Sequence, residues 1–179
     1  MQLRSSQISL QKTKKERDAF LIKFNPDAQL ELCRDANDCF FGDYPSLAVI
    51  RNDFGDNAPT AWLIPQLLNL SEYCGCKDKL NAMQLKECAS IIAREFYFLK
   101  VSEIMLFFYR FKSGRYGRFY GSIDPLVITS SLREFLKERS YSIEEHERKI
   151  KTAEMELMKK EAITYEEYLS RKNENQLKI

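Results

Sequence analysis

Glycine and proline are scarce in this chain, with six Gly and five Pro among 179 residues. So small a stock of turn formers disfavours a many-stranded sheet and favours long helices. Histidine is scarcer still. His146 is the only one, and it sits in a charged stretch away from any apolar run. A Ser-His-Asp or Cys-His device therefore has nowhere to assemble. There is no apolar run of the roughly 18 residues that suggest a membrane-crossing helix. The opening MQLRSSQISLQKTKKER lacks the apolar centre of a signal peptide. No sign of charge dominates either: the net charge is +2. Affinity for nucleic acid would have to come from a local patch.

The five cysteines, Cys33, Cys39, Cys74, Cys76 and Cys88, are odd in number. Without a leader, that points to reduced thiols in a cytoplasmic protein. Cys74, Cys76 and Cys88 offer three thiolates, but a structural zinc site usually shows two paired motifs and four ligands. Cys88 also falls on the apolar face of its segment, where a small buried thiol is ordinary. Gly114, Gly117 and Gly121 are spaced three and four apart, which fits neither a dinucleotide fingerprint nor a P-loop. These patterns assign no catalytic residue, no metal and no cofactor, and a non-enzymatic protein is expected.

What is present is material for a core: 44% of residues are hydrophobic and 30% charged, too apolar for a disordered chain. Residues 1–19 read as a basic mobile arm: over 1–17, Arg4, Lys12, Lys14, Lys15 and Arg17 stand against Glu16 alone. Phe20, Ile22 and Phe24 alternate with other residues, which is weak strand character. Asn25-Pro26 starts a short helix to about Cys39, and Pro45-Ser46 a second one that Gly55 stops. Thr60 can cap a third to about Tyr73, with Pro65 inside it. Asn81 and Gln84 form a capping-box pair for a fourth. Its buried face is expected to include Met83, Leu85, Cys88, Ile91, Ile92 and Phe96.

From Ser102 to Phe111 the chain is apolar nearly all round and should lie centrally in the core. Asp124-Pro125 opens the next helix, and Ser142 with Glu145 opens another. The core is expected to be led by Trp62, Leu67, Ile91, Ile92, Phe96, Ile104, Phe107, Phe108, Leu132 and Phe135. Beyond Ser142 the chain is charged. Glu144–Arg148, Glu145–Lys149, Glu147–Lys151 and Glu156–Lys160 are acid-before-base pairs that support a solvated helix. Ile143, Ile150 and Leu157 recur every seven residues as a thin apolar seam. Thr164 with Glu167 caps a last short helix. The fold class is all-α: an irregular multi-helix domain over 20–140, then a charged helical extension over 141–179.

One stretch stands out, YRFKSGRYGRFYGSIDP at 109–125. Arg110, Lys112, Arg115 and Arg118 carry no acid between them, and Tyr116, Phe119 and Tyr120 interleave with them. Bases draw in a phosphate backbone, and rings stack on unpaired bases. A plainer reading gives the rings to packing, the glycines to positive φ and the arginines to carbonyl capping. The binding reading takes all seven residues as a surface for single-stranded nucleic acid or a protein partner.

The run EIMLFFYRFKSGRYGRFYGSIDPLVITSSLREFLKER, with QLKECASIIAREFYFLK upstream, resembles a family of uncharacterised bacterial proteins of mobile elements and their hosts, over about residues 45–139. Its FK-x-G-x-YG-x-FYG-x-x-DP pattern marks a family rather than an activity. More loosely, the chain is similar in size, helicity and charge pattern to small helical replication accessory proteins of phages. Together these imply an accessory protein that binds nucleic acid or a replication partner through the 109–120 loop. The alternative from the residues is a protein that assembles through its charged helices, possible homo-oligomer included, without touching nucleic acid.

Overall fold

The computed structural model describes residues 12–119 and 121–161. Among them the chain is all-α, with isolated backbone bridges in place of strands. It divides into two compact units, Met1–Arg139 and Ser140–Ile179. The helices are α1 Lys14–Lys23, α2 Gln29–Leu32, α3 Ala36–Phe41, α4 Leu47–Phe54, α5 Ala58–Tyr73, α6 Ala82–Glu95, α7 Val101–Lys112 and α8 Pro125–Glu161. Among the described residues no helix is long and apolar enough to cross a membrane.

Local signals set most of the starts. Ser46 accepts the Val49 N–H ahead of α4, and Gly55, at φ 103°, ends that helix. Asn81 and Gln84 close a reciprocal capping box on α6. Asp124 accepts the Leu126 N–H through its carboxylate, beside Pro125 at the first position of α8. Helix α7 is buried continuously from Val101 to Phe108. It packs against α2, α3 and α5, and α5 packs in turn against α4 and α6.

Five expectations are corrected. The alternation at Phe20–Phe24 is helical, not strand-like. Thr13 and Glu16 form a capping box that starts α1 inside the supposed arm, and the Phe20 ring packs at a tilt against Phe24 one helical turn on, at 5.1 Å between centroids. Lys12, also expected in the arm, donates its backbone N–H to the Asp53 carbonyl and its ammonium to the Asp53 carboxylate. The helix expected from Pro26 to Cys39 is broken into a 3-10 turn, α2 and α3, because Asp35 caps α3 afresh. Ser142 starts nothing: α8 runs through it, since no glycine or proline precedes it to end the helix. Ile91 is 48% exposed and Met83 is exposed as well. The buried face of α6 is Leu85, Cys88, Ala89, Ile92 and Ala93, and Ile91 lies about 100° round from Ile92. The Thr164 cap lies outside the described residues.

In the second unit, Ser140–Glu161 is helical. Glu145 there takes both Arg148 and Lys149, the latter at 3.7 Å. Ile150 and Leu157 of the apolar seam are exposed.

Candidate nucleic-acid interface

The loop of interest begins as a helix terminus. Gly114, at φ 83°, turns the chain out of α7. Its N–H donates to the Phe111 carbonyl at 2.9 Å, and the Arg115 N–H donates to the Arg110 carbonyl at 3.1 Å. This pair of bonds is the Schellman closure. Such a closure usually puts an apolar side chain beside another across the turn. Here the two positions are Arg110 and Arg115, and a carboxylate joins them. Glu138 of α8 accepts Arg110 Nη1 at 2.8 Å on one oxygen and Arg115 Nε at 3.0 Å on the other. The Arg110 guanidinium also lies over the Phe40 and Phe135 rings.

The rings are equally engaged. Phe111 is buried; Tyr116 packs on it and on Phe107, at 5.9 Å and 5.5 Å between centroids. Phe119 stacks flat on Phe111, at 5.3 Å and 17°. Burial pushes the Tyr116 hydroxyl up from its ordinary pKa, and the Glu138 charge adds to the rise. Tyr120 lies outside the described residues.

The seven residues singled out from the sequence thus divide. Arg110, Arg115 and Tyr116 fasten the loop to α7 and α8. Lys112 and Arg118 face a different neighbourhood, a cleft of about 310 Å³ that Tyr73, Phe111, Phe119, Gly114 and Gly117 also line. No acid lines it. Lys112 Nζ donates to Asn69 Oδ1 at 2.8 Å and sits 5.7 Å from the centroid of the Tyr73 ring. Burial pulls the Lys112 pKa down, as expected for an ammonium kept from water. Arg118 is exposed and makes no ion pair with a described residue.

A second strand of chain reaches this region. The Asp78 N–H donates to the Gly121 carbonyl at 3.3 Å, and the Ile123 N–H to the Asp78 carbonyl at 3.1 Å. That bridge sets the exposed Lys77 and Lys79 alongside the end of the loop. Sequence reasoning missed Lys77, Lys79 and Tyr73, which are more than 30 residues upstream of Arg118, and nothing local marks them. Glu138 did carry a signal. It stands three residues past Phe135 on the buried stripe of α8, and a charge in such a place needs a partner. Among the described residues no three of His, Cys, Asp and Glu gather as a metal site would need.

Residues 79–178 match the model of a family of unknown function (DUF6633). No curated protein and no solved structure matches the chain.

Proposed function

The chain belongs to this family of unknown function, and we propose that it is a non-enzymatic accessory protein, acting in the cytoplasm, that binds single-stranded nucleic acid. The binding surface is the cleft between Tyr73 and Arg118, not the whole of the basic loop. One observation carries this reading: Arg118 is exposed and ion-pairs with no described residue, in a cleft that Tyr73, Phe119 and Lys112 also line, whereas Arg110 and Arg115 are committed to Glu138. Cations without a carboxylate partner attract phosphate, and a ring beside them offers stacking that any base satisfies.

Fluorescence anisotropy with a labelled twelve-base single strand tests it, at about 50 mM salt, where phosphate contacts are strong. Binding is expected to weaken steeply with salt, each phosphate contact adding about −0.7 to the slope of log K against log salt. Arg118→Ala should remove one such increment and leave the melting temperature unchanged. Tyr116→Ala should do the opposite, lowering the melting temperature because its ring is packed on Phe107 and Phe111. A flat titration with both DNA and RNA sinks the reading.

A second reading rests on Ile150 and Leu157, which are exposed on a helix seven residues apart. An apolar seam of that spacing suits pairing with a like helix. If the protein assembles through it, sedimentation equilibrium gives a dimer that Ile150→Asn with Leu157→Asn reduces to a monomer. A monomeric wild-type protein at about 100 μM, far above the dissociation constant of a specific dimer, ends this reading.

A further inference from the structure

The two walls of the Arg118 cleft run out to the same place. On one side Cys74 lines the cleft, and Lys77 stands three residues further on. On the other side Phe119 lines it, and Gly121 stands two residues further on. The two segments are then fastened together at Asp78, whose N–H donates to the Gly121 carbonyl and whose carbonyl accepts the Ile123 N–H. An extended chain advances at most about 3.6 Å per residue. The Lys77 backbone is therefore within about 11 Å of the Cys74 wall, and Gly121 within about 7 Å of Phe119.

Lys77 and Lys79 flank that junction. Both are exposed, and neither ion-pairs with a described residue. The fold thus uses the main chain of this segment and leaves two ammonium groups in water. Three acids stand close in the chain. Asp124 is engaged: its carboxylate accepts the Leu126 N–H, at a helix start whose own positive end offsets its charge. Glu72 lies in the last turn of α5, about 100° round from the Tyr73 side that lines the cleft. Asp78 alone stands among the bases, and two lysines flank it. The reach from the cleft wall to Lys77 is close to one screening length, about 10 Å at 0.1 M salt and longer below it. Lys112, Arg118, Lys77 and Lys79 therefore act on one stretch of any strand laid along them.

We propose that the bound strand leaves the cleft over the Asp78–Gly121 junction, where Lys77 and Lys79 take two further phosphates. The proposal rests on the nucleic-acid reading above and narrows its ligand. That ligand is a strand of about five nucleotides or more, at the short end of ordinary single-strand sites, and not a mononucleotide or a free anion. The two parts of the surface do different work. The cleft supplies rings as well as cations. The junction supplies charge alone, so its share of the binding is indifferent to base and fades as salt rises.

The experiment is anisotropy with labelled dT12 on the full chain, at salt from about 50 to 200 mM. Four phosphate contacts give an expected slope of about −2.8 in log K against log salt. Lys77→Ala with Lys79→Ala should flatten it to about −1.4 and leave the melting temperature unchanged, since neither lysine has an ion pair to lose. Lys14→Ala with Lys15→Ala is the control, removing the same charge from exposed positions on α1. Helix α1 rests through Phe20 on Trp62, and Trp62 precedes Tyr73 by eleven residues of α5, about 16 Å along the helix. The control pair should keep the wild-type slope. If Lys77→Ala with Lys79→Ala leaves the slope unchanged, the path is overturned and the nucleic-acid reading stands. Equal flattening by the control pair also overturns the path, since net charge alone would then account for both. No binding of dT12 overturns path and reading together. So does a labelled twelve-residue polyglutamate that binds as tightly as dT12, because it brings charge without a base to stack.

Discussion

Phe107→Ala is expected to cost about 3–5 kcal/mol of stability, the range for removing a large ring from a sealed core. Phe107 is fully buried and touches Phe108, Phe111, Tyr116 and Phe135 with ring centroids between 5.2 and 5.9 Å. Those contacts join three parts of the first unit: α7 itself, the loop after it and the start of α8. Collapse around the cavity would have to move all three together, so little of the loss can be recovered by relaxation. Phe108→Ala should cost a comparable amount, since Phe108 is equally sealed. Urea denaturation followed by circular dichroism measures both. A loss under about 1 kcal/mol at both positions is far below the core range and would mean that α7 is not the centre of the core.

Glu103→Ala is expected to rank next, at about 3 kcal/mol, on the scale of breaking a buried ion pair from one side. Glu103 is completely buried. One of its oxygens accepts the Lys100 N–H at 2.9 Å, serving a donor that the start of α7 leaves open; the other takes Arg139 Nε at 2.6 Å. Truncation leaves a backbone N–H and a guanidinium unserved together. Arg139 is partly exposed and can turn to water, which holds the figure at the low end. Arg139→Ala has no such escape, because Glu103 would remain a buried carboxylate with its charge unmatched. The pair of variants should therefore rank with Arg139→Ala at least as damaging as Glu103→Ala. The reverse order, measured by the same denaturation, would show that the backbone N–H rather than the charge governs this contact.

The all-α class was legible because its signals are local. Asn81 with Gln84, and Asp124 with Pro125, announce helices from residues a turn apart, and the run from Ser102 to Phe111 announces a buried helix by lacking a polar side. The failures share a cause too. Phe20, Ile22 and Phe24 alternate as a strand would, and the Thr13–Glu16 cap that decides for a helix lay in a stretch whose charge drew attention to the wrong property. Ile91 follows the three-and-four spacing by count but stands one position off the face that α6 buries. The loop was the hardest to read. Its four bases look equivalent in sequence, and what separates Arg110 and Arg115 from Lys112 and Arg118 is a glutamate at position 138, distant in the chain and invisible to spacing. Gln66 donates to the Phe24 carbonyl at 3.0 Å and accepts from Gln29 at 2.6 Å, bonds between residues 42 and 37 apart that no periodicity reports.

The Glu138 contact also sets unequal terms for mutation. Losing either Arg110 or Arg115 leaves the carboxylate still served by the other arginine, so each arginine alone can drift at modest cost. Losing Glu138 strands Arg110, whose side chain is only 16% exposed and lies over two rings, while Arg115, at 54%, can turn to water. Lineages of this chain can therefore pass through intermediates that lack one arginine far more easily than through any that lack the glutamate. The acid at 138 is the costliest of the three to lose.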